Sequence, residues 1–344
     1  MDDSVLDTVG SPLVRVASPP GATVAAKVES RNPGGSAKDR PALAMVEAAE
    51  DDGILEPGDS IVEATSGNTG IGIAMVAAAK GYDCTIVMPA SKSPERQRIM
   101  RAYGATLELV EGTISDANDL ADQLAEQGMV QLSQFDNPAN PEAHYHTTGP
   151  EILDQVGDRS IDALVAGVGT GGTISGIARR LREEHPDLEV VAVEPDDNAP
   201  LSGGEMGGDR FQGMGPGFVS PNLDTDLVDS VETVSLEAAE EECRRLASEE
   251  GLLVGQSSGA SNVAARRVAA RLADPDADCP ETPDAPEPDR DSEQLPLSPE
   301  ARGEGTDGGS AQRGDEDSDD GECPLVVTVF WDSGERYMST GLFD

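Results

Sequence analysis

Residues 60–81 read SIVEATSGNTGIGIAMVAAAKG. A short β-prone run, Ser60–Ala64, gives way to a small polar turn. An apolar stretch from Gly70 to Lys80 then predicts a buried helix, with Gly81 as its C-cap. Outward from this unit the alternation repeats. Cys84–Met88 predicts a strand, Ser93–Tyr103 a helix closed by Gly104, Thr106–Val110 a strand and Asp116–Gln127 a helix. It returns as strand Ile161–Ala166, helix Thr173–Glu184 and strand Glu189–Val193. Such order predicts an α/β fold with mainly parallel sheets covered on both faces, and ligands at the carboxyl ends of strands.

The chain has 344 residues, enough for two domains with a sizeable core. Its formal charge is −42, a field that repels nucleic acid and anionic membranes, so neither is expected as a partner. Lysine is scarce: Lys27, Lys38, Lys80 and Lys92 are the whole set. Many acids with few lysines point to a salt-rich, halophilic cytoplasm, where screening reaches only roughly 3 Å at 1 M. Cys84, Cys243, Cys279 and Cys323 show neither close pairing nor zinc-like spacing, so the expectation is four reduced thiols in a cytoplasmic protein. MDDSVLDTVGSPLVRV has no signal-peptide pattern, and no apolar run approaches the ~20 residues a membrane span needs.

One segment breaks the rhythm. Residues 274–323 hold eighteen acids, three arginines and no aromatic residue, a composition that predicts disorder. The run LVVTVF, Leu325–Phe330, follows as a buried strand, so the segment reads as an acidic insertion between helix Ser257–Ala273 and that strand.

Four motifs carry chemistry. NPGGSAKDR, Asn32–Arg40, is a strong turn with Ser36 placed to cap a helix and Pro41 in its first turn. A lysine there feels the positive end of the helix dipole, which favours the neutral nucleophile of Schiff-base chemistry; the plain alternative is a solvated lysine beside Asp39. TSGNTG, Thr65–Gly70, joins strand to helix through small hydroxyl and amide side chains, either a carboxylate nest or an ordinary βα turn. GVGTGGT, Gly167–Thr173, reads as a phosphate cradle. Its GxGxxG pattern, with Glu194 after the next strand, also admits a dinucleotide. GQSSGA, Gly255–Ala260, follows strand-like Leu252–Val254 and opens a helix. His144-x-His146 lacks further ligands and reads as structural, so no metal is expected.

Together, in this order, the motifs resemble the cysteine synthase (O-acetylserine sulfhydrylase) family of fold-type II pyridoxal-phosphate enzymes. QFDNPANPEAHYHTTGPEI, Gln134–Ile152, and DSGERYMST near the end extend the resemblance over nearly the whole chain except the insertion. It implies two three-layer α/β domains of the tryptophan synthase β type with the active site between them. Residues 34–137 would form the smaller mobile domain, and 1–33 with 138–344 the larger, cofactor-anchoring one. Lys38 would carry pyridoxal 5′-phosphate and move the α-proton, with Asn68 facing the cofactor's 3′-hydroxyl. Gly169, Thr170, Gly171, Gly172 and Thr173 would hold its phosphate, and Ser257 its pyridine nitrogen. Thr65, Ser66, Thr69 and Gln134 would bind the substrate carboxylate. A hydroxyl at the ring nitrogen makes a weaker electron sink than a carboxylate, which suits elimination to an aminoacrylate followed by nucleophile addition.

The implied reaction is β-replacement on O-acetyl-L-serine by sulfide, giving L-cysteine and acetate in a homodimer, with serine acetyltransferase as a possible partner enzyme. Rival readings are a cystathionine β-synthase-like use of serine and homocysteine, an O-phosphoserine sulfhydrylase, and a non-catalytic partner-binding member. O-acetylserine is favoured over O-phosphoserine because the loop Gln212–Phe218, expected to face the leaving group, contains no Lys or Arg. Pro216, Gln256 and Trp331 depart from the family's usual residues.

Overall fold

The computed structural model describes every residue except 205, 206, 208–210 and 281–322. The expectation of disorder in the acidic insertion therefore falls mostly outside the described residues.

Ten strands form two sheets among the described residues. The larger holds β1 (Leu13–Val16), β2 (Thr23–Val28), β7 (Ala163–Gly167), β8 (Glu189–Pro195), β9 (Ser230–Val234) and β10 (Leu325–Phe330), in the order β1-β2-β10-β7-β8-β9. Only the β1–β2 pair is antiparallel. The smaller sheet, β5-β4-β3-β6, is parallel throughout and consists of β3 (Ser60–Ala64), β4 (Asp83–Pro89), β5 (Thr106–Val110) and β6 (Val130–Gln131).

The nine α-helices among the described residues are α1 (Asp39–Asp51), α2 (Asn68–Lys80), α3 (Pro94–Ala102), α4 (Ile114–Glu126), α5 (Ala139–Ala143), α6 (Gly149–Val156), α7 (Gly172–Leu181), α8 (Leu236–Glu250) and α9 (Gln256–Leu272). A π-turn at His144–Thr148 makes α5 and α6 one bent helical stretch.

The central strands are buried on both sides, which explains their continuous apolar runs. Side chains still alternate between faces. Val165, Val191 and Val326 pack with Ala264 and Val268 of α9, whereas Leu164, Val190 and Val327 pack with Ile174 and Ile177 of α7. In the smaller sheet Ile61 and Ile86 meet α1 and α2 through Met45 and Ile71, while Val62 and Val87 meet Ala117 and Ala121 of α4.

The expected alternation is present, with Gly81 and Gly104 in the left-handed region as C-terminal stops. Three local readings differ. The helix after β3 starts at Asn68, two residues before Gly70, so the polar turn already supplies its first turn. Leu252–Val254 is not a strand; Val254 makes one isolated bridge to Ser333. Ser36 does not cap α1: the N-cap is Lys38, and the Ser36 hydroxyl accepts only the Lys38 N–H at 3.2 Å.

The cysteine expectation is corrected too. Cys84 and Cys243 are free and buried, each thiol pushed up to about 12 by burial. Cys279 and Cys323, however, are disulfide-bonded, with Cα atoms 5.0 Å apart. Their separation of 44 residues hides the pairing in the sequence. Packing of α9 beside β10 brings the two ends of the insertion together, and the Asp274 N–H donates to Gly21 just before β2. A cross-link of that span removes about 4 kcal/mol of loop-closure entropy from the unfolded chain. Reduction, or Cys323→Ser, is expected to lower the thermal midpoint accordingly. A midpoint unchanged by reductant would count against the bond.

Candidate functional site

Two strand-to-helix turns, the first turn of α9 and the segment before α1 converge between the two sheets. In the Asn32–Arg40 segment, Gly35 has φ +83° and donates its N–H to Asn32 O at 2.8 Å. Gly34 donates to Asp39 Oδ2 at 2.6 Å, and a Cβ at Gly34 would lie 2.5 Å from that carboxylate. Asp39 is thus turned back into its own loop and is no ion-pair partner for Lys38. Burial pushes the Asp39 carboxyl up to about 7.

Lys38 is half-buried, with Nζ 5.5 Å from the centroid of the Trp331 ring. Burial lowers its amine to about 8, against the opposing charges of Asp332 and Glu29. Lys27 and Lys80, by contrast, are ion-paired with Glu151 and Glu50 at 2.6 and 2.8 Å. Trp331 ties this amine to the larger sheet. Its carbonyl accepts the Ala37 N–H, its own N–H donates to Ser258 Oγ, and its Nε1 donates to Ser261 Oγ, which also receives the Gly167 N–H.

The Thr65–Gly70 turn lies at the carboxyl end of β3. Gly67 is the N-cap of α2 and makes no side-chain cap, so the helix's first N–H groups are left for a ligand. The Thr69 hydroxyl donates to Gln134 Oε1 at 2.6 Å, leaving the Gln134 Nε2 as a donor. Gln134 is placed by Glu63, a buried acid in β3 that accepts the Ser133 and Gln134 N–H groups at 2.9 and 3.1 Å. Burial nonetheless pushes Glu63 up to about 7. Ser66 sits in the same turn, half-buried.

Gly167–Thr173 forms the N-terminal approach to α7. Gly171 has φ +81°, and a Cβ there would lie 2.5 Å from Leu223. At Gly172 a Cβ would lie 2.2 Å from Asn140 Oδ1, so neither residue can be larger. Asn140 donates to both Gln134 O and Thr170 Oγ1, which joins the two turns and leaves the Thr170 proton free to donate. Thr173 Oγ1 lies 3.0 Å from Nε2 of fully buried His144, whose pKa is held well below its usual value by burial and by the charges of Lys38 and Arg40. His146 instead faces solvent beside Glu142, so the two histidines diverge. A Cβ-free cradle, open helix N–H groups and two threonine hydroxyls suit one small dianion. Glu194 is occupied: it accepts the Leu201 and Ser202 N–H groups, which removes the ribose-binding acid of the dinucleotide reading.

Ser257 lies in the first turn of α9, fully buried, with its Oγ 3.1 Å from where a Cβ on Gly213 would stand. Asn68 is held from the opposite sheet. Its Nδ2 donates to Asp332 Oδ2 at 2.7 Å, and Arg336 Nη1 donates to its Oδ1 at 2.5 Å. The sequence reading missed Glu63, Asn140, Asp332 and Arg336. Of these only Glu63 carried a local signal, as a lone acid inside an apolar strand. The expectation of no cation at the Gln212–Phe218 loop holds for the loop itself but not for its surroundings: Arg96 of α3 donates to Gln212 Oε1 at 2.6 Å.

A lysine lowered by burial, beside a glycine cradle at one helix N-terminus and an open turn at another, suits a pyridoxal-phosphate enzyme. A family model described as pyridoxal-phosphate dependent enzyme matches residues 6–278. The chain belongs to that family, and pyridoxal phosphate is its cofactor. Within it the chain falls among the cysteine synthases. It is 49% identical to a cysteine synthase of Staphylococcus aureus over 97% of this chain and 94% of the relative. It is 44% identical to an O-ureido-L-serine synthase of Streptomyces lavendulae, over 99% and 93% of the two chains. A crystal structure of O-ureido-L-serine synthase superposes with a TM-score of 0.83 at 39% identity, covering 100% of this chain and 96% of that one.

Proposed function

We propose that the chain is a cysteine synthase that replaces the acetoxy group of O-acetyl-L-serine with sulfide, releasing L-cysteine and acetate. The observation that carries this reading is the convergence of Lys38, the Thr65–Gly70 turn and the Gly167–Thr173 cradle, joined by Asn140 and Trp331. Bound pyridoxal phosphate supplies the electron sink for the carbanion formed at the substrate α-carbon. Gly169, Thr170, Gly171, Gly172 and Thr173 hold its phosphate, Ser257 meets its ring nitrogen and Asn68 its 3′-hydroxyl.

Lys38 holds the cofactor and, once released from it, takes the substrate α-proton, a task eased by the burial that lowers its amine to about 8. Thr65, Ser66, Thr69 and Gln134 orient the substrate by its carboxylate. Residues 34–137 act as the smaller, moving domain and close over the carboxylate, which excludes water from the reacting carbons. The family resemblance supports a homodimer with serine acetyltransferase as a partner. The acidic, lysine-poor composition supports a salt-rich cytoplasm, a compartment for which the Cys279–Cys323 bond removes the reduced-thiol argument. Among the described residues no helix is long and apolar enough to cross a membrane.

A screen of O-acetylserine, O-phosphoserine and serine against sulfide, homocysteine and hydroxyurea tests the reading. Cysteine formed from O-acetylserine and sulfide with the highest kcat/KM is expected. The cation at Arg96 makes O-phosphoserine the informative competitor. Equal or better efficiency with that donor, or with an acceptor other than sulfide, would overturn the assignment.

A further inference from the structure

The loop Gln212–Phe218 runs between the two ends of the site. Near its start Gly213 packs against Ser257, and the Gly213 carbonyl lies 3.1 Å from where a Cβ on Gly169 would stand. At its far end Phe218 packs on Phe135, ring centroids 5.2 Å apart, next to Gln134 in sequence. The loop thus spans from the ring-nitrogen serine to the carboxylate-binding glutamine. A group added to the substrate's β-carbon between them has this loop as its neighbour.

The loop is intrinsically loose. Gly213, Gly215 and Gly217 all have positive φ, at 95°, 69° and 83°, and glycine loses more freedom on ordering than any other residue. Its setting therefore depends on external anchors. The Gly215 N–H donates to Val168 O, and Asn198 Nδ2 donates to Gly215 O at 2.8 Å. At the loop's entry the anchors are side chains. Arg96 holds the Gln212 side chain, and Gln256 Oε1 accepts the Gln212 N–H at 3.1 Å. Gln256 is itself fixed, its Nε2 donating to Glu240 Oε1 of α8 at 2.8 Å. An aliphatic side chain at 256 could make neither hydrogen bond.

We infer that Gln256 is a positioning residue for acceptor choice: through Gln212 it pins the entry of this loop to α8 and so limits the room left for the incoming nucleophile. Among the described residues its side-chain hydrogen bonds go to the Gln212 N–H and to Glu240, with none to the phosphate cradle or the Thr65–Gly70 turn, so its influence falls on the acceptor side. The inference rests on the β-replacement reading, but its readout is a ratio between acceptors, which exists for any acceptor pair that the holoenzyme turns over.

The test compares the holoenzyme with its Gln256→Leu and Glu240→Ala variants, using sulfide and the bulkier thiol 2-mercaptoethanol. The ratio of kcat/KM for the thiol to that for sulfide is expected to rise about tenfold in Gln256→Leu, the scale on which pocket fit discriminates small groups. A smaller rise is expected in Glu240→Ala, which frees the anchor from a half-buried position on α8 and carries the test should Gln256→Leu fail to fold. The visible absorbance of the cofactor and the donor KM should stay within about twofold of the unaltered protein, because neither cofactor nor carboxylate contacts change. The exchanged pair Gln256→Glu with Glu240→Gln keeps an acceptor at 256 for the Gln212 N–H and rebuilds the 256–240 hydrogen bond with donor and acceptor reversed, and is expected to restore the original ratio. An unchanged ratio in both single variants would sink the inference, as would an equal fall with both acceptors accompanied by altered cofactor absorbance. Failure of the unaltered holoenzyme to use sulfide would instead strike the functional reading.

Discussion

Lys38→Ala is expected to cut turnover by about 1,000-fold or more while leaving the fold intact, because it removes the proposed attachment point of the cofactor and the proposed base together. The fold should tolerate it. The ammonium has no carboxylate within ion-pair distance among the described residues, and its one aromatic neighbour, Trp331, is held independently by Ser258 and Ser261. The Asn32–Arg40 turn is likewise fixed by Gly34, Gly35 and Asp39. The variant should therefore keep its melting temperature but lose the visible absorbance of covalently held cofactor. Retained turnover without added amine would refute the role. The unaltered amine also sets a pH dependence. Burial lowers Lys38 to about 8, and only the neutral amine attacks an aldehyde, so cofactor loading of the apo-protein should quicken as pH rises toward 8 and level off above it. Loading that slows over that range would show that another group limits the step.

The legible parts of this site are those in which local backbone and side-chain chemistry agree within a few residues. Thr65–Gly70 and Gly167–Thr173 each lead from a strand end into a helix N-terminus with open N–H groups, and Gly70, Gly171 and Gly172 are glycines because a Cβ there would clash at 2.9, 2.5 and 2.2 Å. At Lys38 the scarcity of lysine and the turn only narrow the candidates, and its role comes from the family resemblance. The unread parts are held by residues far away in sequence. Asn68 is bonded to Asp332 and Arg336 across 264 and 268 positions, and Arg96 reaches Gln212 across 116. Neither spacing nor periodicity encodes such pairs, because they exist only after two sheets have packed. The same reason hid the Cys279–Cys323 bond. In the fold, buried strands announced themselves by β-branched runs, whereas Leu252–Val254 had the composition of a strand but makes only one bridge.

The second large effect lies beside the site. Arg40→Ala is expected to destabilise the protein by about 3–5 kcal/mol, the usual result of stripping one partner from a buried ion pair. Glu29 is fully buried and accepts Arg40 Nε and Nη2 at 2.8 and 3.0 Å, while Arg40 Nη1 and Nη2 reach Glu151 at 2.6 and 2.7 Å. Burial alone would raise the Glu29 carboxyl; the Arg40 charge and hydrogen bonds, with the Ser11 hydroxyl, outweigh that and hold it below the usual range. A carboxyl depressed in the folded state stabilises it above the ordinary carboxylate range, and that contribution disappears as pH falls through the folded value. Without Arg40 the sign reverses. Burial would then favour the protonated acid, so the variant's deficit should shrink between pH 7 and pH 5, where the unaltered protein gains nothing from this group. The loss should also reach the cofactor. Glu29 holds Asn32 Nδ2 at 2.6 Å, and Asn32 begins the turn that carries Lys38, so cofactor occupancy should fall together with stability. Denaturant titration at both pH values, with cofactor absorbance followed in parallel, measures the two effects. A deficit near 3–5 kcal/mol at pH 7 that is no smaller at pH 5 would mean that the penalty comes from lost packing of the arginine side chain, not from an unpaired Glu29.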